Sequence, residues 1–415
     1  MVQTNGVRSP SPSSGYQIAV LLVLAFVNGV VALDRLAVNF LSPFIIADLG
    51  LTNAQLGLLS SALSVSIAIS GLIVSAAADA AGQRKRFLVI SLIGFSVLSA
   101  GSGLASSFGM LVIARLLLGI GEGPMIPLAQ SVMSTASSPE RRGFNMGAMQ
   151  IGGAFLIGAM LGPVIAVAFA ERFGWQAAFF ASAVPGLIGA ALIALVVKPV
   201  PAEPADPAMP GAGDSWTGLL RSRNLLICMA ISGLITAWLT IQNVFMPVYL
   251  TQVDGFTPSA MSMILGVAGV GGLVGGLVVP ALSDRFGRKP VIVAAEFASV
   301  LAPLAMLFLG GSAAVLAAAL AIGWLVIGSA PLVIAIVPGE SVAPARVSTA
   351  IALTIFSAEM LGGVVTPPLA GWAADIWGLD APFWIAAALA LCCGVLALFL
   401  TETAPRALAR RRPHP

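Results

Sequence analysis

The stretch Pro280-Ala-Leu-Ser-Asp-Arg-Phe-Gly-Arg-Lys-Pro290 lies between two long apolar runs, and it has a counterpart earlier in the chain. That counterpart is Ser75-Ala-Ala-Ala-Asp-Ala-Ala-Gly-Gln-Arg-Lys85. It sets Asp79 over Asp284 and Gly82 over Gly287 at an offset of 205. Pro139 and Arg141 match Pro344 and Arg346 at the same offset, and Pro163 and Gly174 match Pro367 and Gly378 at 204. An offset constant to one residue across three separate places divides the chain into two related halves.

Composition says what solvent those halves occupy. Of 415 residues, 58% are hydrophobic and 9% charged, and the mean hydropathy is +1.01. A soluble domain carries about 25% charged residues, so lipid must solvate most of this chain. The apolar stretches run for about 20 residues and do not alternate, which points to helices and away from a β-barrel. The 45 Gly and 27 Pro suit close helix packing and kinks in membrane helices. The three cysteines lie in apolar segments without CxxC spacing, and the one histidine is His414. Disulfide scaffold, zinc site and Cys/His catalysis find no support, and no cofactor is expected.

Polar turns cut the chain into twelve apolar spans. Their expected limits are 18–41, 53–76, 87–107, 109–134, 143–169, 177–197, 224–250, 259–282, 290–310, 312–337, 347–371 and 382–401. With the N-terminus in the cytoplasm, seventeen Lys and Arg fall in cytoplasmic turns and tails, and only Arg172 falls outside. The segment 199–222 is rich in proline and too polar to span, and reads as a flexible linker. The expected organisation is a cytoplasmic tail (1–17), a six-helix bundle (18–198), the linker, a second six-helix bundle (223–401) and a basic tail (402–415). Residues 1–16 lack a short cleavable apolar core, so they read as a retained tail and not a signal peptide. Parallel repeats of this kind flank a midplane site in transporters.

At Asp284-Arg-Phe-Gly-Arg-Lys289 the chain resembles the major facilitator superfamily, whose signature occupies the turn between the second and third helices of each half. The first copy keeps Asp79 and Gly82 but has Ala80 and Gln83 where arginines are usual, which implies a weaker clasp in the first half. Within the superfamily, the chain is similar to the anion:cation symporter and Spinster-like group. The resembling motifs are Asp34-Arg35, Arg115-Leu-Leu-Leu-Gly-Ile-Gly-Glu122, Pro338-Gly-Glu-Ser-Val342 and Glu359-Met-Leu-Gly-Gly363. The resemblance implies an all-α membrane protein, twelve helices in two pseudo-symmetric bundles, working by alternating access. It also implies a bacterial inner-membrane protein with both termini cytoplasmic, acting as a monomer on a small solute and protons, with no nucleic-acid partner.

Asp34, Arg35, Arg115 and Glu122 stand inside apolar spans, where a charge costs several kcal/mol. At about 1.5 Å per residue, Asp34, Arg35 and Arg115 share the outer third of the membrane, and Glu122 is deeper. Arg115 and Glu122 are two turns apart on one helical face. An Asp34–Arg115 ion pair is expected, with Glu122 below it. Asp34, Glu122 and Glu359 are the expected proton sites, with Arg115 as the cation that selects between them. Arg35 can offer a planar fork to an anion. Gln150, Gln242, Asn243 and Trp324 are further solute contacts. Asp79, Gly82, Asp284, Arg285, Gly287, Arg288, Glu340 and Arg346 are expected at a gating clasp, and Glu296 is expected to pair with Arg288 or Lys289. A static ion pair, fixing the first helix to the fourth, is the competing reading of the charged quartet.

The expected activity is proton symport of a small organic anion, such as a sugar acid or an aromatic carboxylate. A lysolipid exporter or a drug–proton antiporter is the alternative within the fold. No GxxxxGKS loop supports ATP-driven pumping, and Gly119-Ile-Gly-Glu-Gly123 sits inside a helix where no dinucleotide loop belongs. A membrane enzyme would need nucleophile or metal-ligand clusters that the chain lacks, and a channel suits the two-half repeat less well.

Overall fold

The structure is a computed structural model that describes residues 13–138, 141–199, 221–343 and 346–404. The linker and most of both tails expected from the sequence lie outside these residues, as do Pro139 and Pro344. Twelve helices are long and apolar enough to cross a membrane. They are α1 (Ser14–Phe40), α2 (Asn53–Ala81), α3 (Arg84–Ser102), α4 (Phe108–Ala136), α5 (Arg142–Phe173), α6 (Trp175–Val196), α7 (Arg223–Gln252), α8 (Pro258–Phe286), α9 (Arg288–Phe308), α10 (Ala313–Glu340), α11 (Thr349–Trp377) and α12 (Asp380–Leu398). All twelve expected spans are present. Their limits move by a few residues because caps set them, and hydropathy does not see caps.

Local chemistry explains those limits. Thr52 and Gln55 form a reciprocal capping box at the start of α2. Ser107, Ser222 and Thr257 accept backbone N–H groups at the starts of α4, α7 and α8. At its other end α2 runs on to Ala81, where Gly82 takes a left-handed conformation (φ 64°) that stops it. An eight-residue helix, Ser42–Leu49, follows α1 and is not legible in the sequence as a separate element.

The repeat seen in sequence is also a repeat of backbone irregularity. In α5 the segment Ala154–Leu161 is wound in wide i→i+5 turns, and so is Ala358–Val365 in α11, at the offset of 204. Each segment stops two residues before a proline, Pro163 or Pro367. A proline donates no N–H, so a carbonyl one turn back loses its partner and the helix locally rewinds. A third wide segment, Leu332–Ile336 in α10, also ends two residues before a proline, Pro338. A fourth wide segment, Ala148–Gly152 in α5, has no proline at this spacing behind it, and side chains reach carbonyls within these segments. Asn28 of α1 donates to the carbonyls of Met149 (3.1 Å) and Gln150 (2.9 Å), and Thr366 donates to that of Leu361 (2.7 Å).

The two bundles meet through α2 against α11 and α5 against α8. Small residues let these backbones touch. Gly57 lies on Pro367, Gly371 on Asn53, Gly266 on Met160 and Gly269 on Ala159, each too close for a Cβ. The Ser61 hydroxyl donates across the interface to the Val364 carbonyl (2.7 Å). These contacts lie toward the end opposite the basic turns, the far end. The basic-end part of α11, Val347–Ser357, packs instead on α7 and α10. The molecule is therefore shut at its far end, and the bundles part toward its basic end.

At the far end of the second bundle, Asp254 sits beside Asp380 in the turn after α7. Burial, reinforced by the Asp380 charge, raises its carboxyl above the usual range. A raised carboxyl supports the fold at low pH and loses that support as pH climbs through its folded value. Asp254→Asn should therefore raise the thermal midpoint of the purified protein at about pH 7.5, and the gain should shrink toward zero near pH 4, as followed by unfolding across pH.

Candidate functional site

Asp34 and Arg35 are adjacent on α1, so their side chains leave the helix about 100° apart. Asp34 turns into the first bundle and is fully buried. Its Oδ1 accepts hydroxyl hydrogen bonds from Ser99 of α3 and from Ser182 of α6 (2.9 Å). Arg35 turns toward the interface, and its side chain is 37% exposed. Its Nε donates to Glu122 Oε1 of α4 at 2.5 Å, and the Glu122 carboxylate is fully buried. Glu359 of α11 lies within electrostatic reach of Arg35 from the other bundle. It shares a tight spot with Ser64 of α2 at Gly363, where a Cβ would stand 2.9 Å from Glu359 Oε2 and 3.1 Å from Ser64 Oγ.

The pairing thus differs from the expected one. Arg115 makes no direct ion pair with Asp34 among the described residues. Its guanidinium lies over the Phe179 ring (5.0 Å), in the combined field of Asp34 and Glu122, and its nitrogens have no hydrogen-bond partner. Two hydroxyls and an aromatic face, none of them conspicuous in the sequence, take the positions that a pair would need. Asp34 Oδ2 and Glu122 Oε2 are likewise buried without a partner. A buried ionic network with unspent valences is costly in one arrangement and ready for another.

Neutral polar groups inside the two bundles are unevenly satisfied. Gln150 is exposed and accepts from Gln130 (2.8 Å) beside Asn28. In the second bundle Gln242 is fully buried with both amide atoms unpartnered. The indoles of Trp238 and Trp324 stand 6.4 Å apart, each with a buried, unpartnered N–H. Asn243 instead donates to the Leu239 carbonyl of its own helix (3.0 Å). The hydroxyls nearest Glu359 in the chain are spent elsewhere: Ser357 donates to the Met229 carbonyl and Thr354 to that of Ile334. Glu296 does not reach Arg288 or Lys289. It is wholly buried in the second bundle, where the Ser329 hydroxyl donates to it (2.7 Å), because the face of α9 that carries it looks inward to α10.

The turns at the basic end carry unequal clasps. In the first half Arg84 pairs, among the described residues, with Asp79 (2.6 Å). In the second, Arg288 joins Asp284 (2.5 Å), Glu340 of α10 (3.2 Å) and the Ser283 hydroxyl (2.8 Å). Glu402 accepts the backbone N–H groups of Arg288 and Lys289, and Thr403 donates to Glu340. Gly82 and Gly287 both have positive φ, and Arg285 lies over Phe286 (5.3 Å). Arg346 sits in the turn into α11, its N–H donating to the Ala343 carbonyl (2.8 Å).

Twelve apolar helices in two related bundles, with paired charges at their seam, define a multi-pass membrane transporter and not an enzyme. The chain matches the Major Facilitator Superfamily model over residues 24–355 and 239–415, and it belongs to that family. The hexuronate transporter of Bacillus subtilis (strain 168) is 30% identical over 302 residues, 67% of this chain and 70% of that protein. The cis,cis-muconate transport protein of Acinetobacter baylyi is 24% identical over 411 residues, 96% of this chain and 98% of that protein. A bacterial homologue of the human lysosomal transporter Spinster, in its inward-facing and unoccupied conformation, shares the fold. It has a TM-score of 0.72 and 18% identity over 97% of this chain and 100% of that one.

Removing Arg288 unties α8 from α10 and leaves the half-buried Glu340 without its cation, while the exposed Asp284 stays solvated. Arg288→Ala should cost about 1–2 kcal/mol in unfolding free energy. Arg84→Ala, which breaks a single pair with an exposed partner, should cost less than about 1 kcal/mol. Thermal or chemical unfolding of both variants decides this.

Proposed function

We propose that the chain takes up a small organic anion together with protons, with its basic end in the cytoplasm of a bacterial inner membrane. The observation that carries this reading is the Arg35–Glu122 pair: a partly exposed arginine side chain at the bundle interface, held by a buried carboxylate. Arg35 has one planar fork and two kinds of carboxylate to serve, Glu122 and that of the solute. When a proton neutralises Glu122, Arg35 is free for the solute. When the solute leaves, Glu122 gives up its proton and closes on Arg35 again. The present arrangement is then the empty, inward-facing state.

Asp34 and Arg115 supply a second exchangeable contact behind the first. Arg115 lies between two carboxylates without touching either, so a small shift of α4 against α1 gives it to Asp34. Glu359 adds a negative charge from the opposite bundle, so the bundles attract at Arg35 until the solute's charge intervenes. The unspent amide of Gln242 and the indole N–H groups of Trp238 and Trp324 are suited to the polar body of the solute. The names of the relatives, transporters of a hexuronate and of a muconate, agree with a carboxylate. Either a sugar acid or an unsaturated diacid meets the charge requirement.

The test is uptake and exchange of labelled glucuronate, cis,cis-muconate and a lysolipid in proteoliposomes. Carboxylate uptake should follow an acid-outside pH gradient, and lysolipid should not move. Glu122→Gln should keep counterflow but lose gradient-driven accumulation. Arg35→Ala should lose carboxylate binding by roughly 30-fold or more, the effect of stripping the partner from a desolvated charge. If Glu122→Gln and Asp34→Asn both keep full pH-driven accumulation, the ion pair is static and the coupling reading fails.

A further inference from the structure

At the far end two carboxylates hydrogen-bond from one bundle to the other. Asp375, near the end of α11, accepts from the start of α2. Its Oδ1 takes the backbone N–H and the side-chain amide of Asn53 (both 2.9 Å), and its Oδ2 takes the backbone N–H of Ala54 (2.9 Å). Glu171, near the end of α5, accepts the Ser259 hydroxyl at the start of α8 (2.8 and 3.1 Å). Glu171 and Asp375 stand at the 204 offset, and Ala54 and Ser259 at 205. The two contacts are thus the same contact made twice, once by each half.

The donors at the start of α2 divide in a telling way. The capping box spends the N–H groups of Thr52 and Gln55 within the helix. The two left over, those of Asn53 and Ala54, are the ones that Asp375 takes from the other bundle. The helix therefore keeps its own cap if Asp375 withdraws, and the freed donors lie at the surface, where water can meet them. A carboxylate at a helix N-terminus is also favoured by the helix dipole. Gly371, one turn before Asp375, brings the backbone of Asn53 and Ala54 too close for a Cβ and so makes the reach possible. The Glu171 contact is the weaker copy, with one hydroxyl in place of three N–H donors.

We propose that Asp375 and Glu171 are paired charge latches that favour the far-end-closed state, and that Asp375 sets most of that bias. This inference rests on the two-bundle fold alone and not on the identity of the solute or on proton coupling.

Hydrogen exchange followed by mass spectrometry on the full chain in nanodiscs tests it without any solute. In Asp375→Ala and Asp375→Asn, far-end peptides of α2, α11, α5 and α8 should all exchange faster, by roughly five- to tenfold. Basic-end peptides of the same helices should exchange more slowly as that end closes. Glu171→Gln should give the same pattern with a smaller amplitude. Acceleration confined to the first turn of α2 would make Asp375 a mere helix cap and overturn the proposal. Acceleration across all twelve helices, or no change, would overturn it too. Should Asp375→Ala fail to fold, Asp375→Asn and Glu171→Gln still separate these outcomes.

Discussion

A carboxylate kept away from water must have a cation or a proton, and Glu122 lives under that rule. Its partner is Arg35, 2.5 Å away on another helix, and the partner is partly exposed where the carboxylate is sealed. The asymmetry matters. A fully buried pair would only weld α1 to α4, and a fully exposed one would be worth little. Under the proposed function one member is visited by a competing anion while the other answers by changing its own charge. Asp34, Arg115 and Glu359 gain their significance from this pair, because each adds field to it without saturating it.

The backbone around the pair is irregular for a traceable reason. Prolines at positions 163, 338 and 367 each follow a wide-turn segment by two residues. These segments lie in α5, α10 and α11, and two of the three helices form the contact between bundles. Glycines then bring backbones into touch where larger side chains would interlock. Gly57 sits against Pro367, Gly371 against Asn53 and Gly269 against Ala159. Surfaces joined by few knobs can rock with little repacking, so composition, helix geometry and motion are linked by the same residues.

Much of the fold is legible in the chain because its determinants are local. Hydropathy marks twelve spans, and the repeated turns mark two halves. The charged residues inside the spans mark the candidate site, since an ionised group in oil is conspicuous on any scale. Partnership is harder to read. Asp34 and Arg115 have the right depths for an ion pair, but Ser99, Ser182 and Phe179 hold them apart, and hydroxyls and rings are too common to stand out. The Ser96, Ser99 and Ser102 stripe, all fully buried at three-residue spacing, is the available hint. Distance along the helix pairs Glu296 with Arg288, whereas its rotation about the helix decides its neighbours. The far-end contacts of Asp375 and Glu171 cannot be read at all, because they join residues that only the packing of one bundle on the other brings together.

The two halves share architecture but not chemistry. Glu122 and Asp34 have no acidic counterparts at the repeat positions in the second half, where buried polarity is carried by Gln242, Trp238 and Trp324. Conversely, the three-way clasp on Arg288 has only the Arg84–Asp79 pair as its echo, since Thr135 stands where the second half has Glu340. The buried carboxylate paired with a cation thus lies in the first bundle, whereas the second keeps Glu296, wholly buried against the Ser329 hydroxyl, and Glu359 in addition to its neutral groups. A solute bound between them would present its carboxylate to the first and its body to the second.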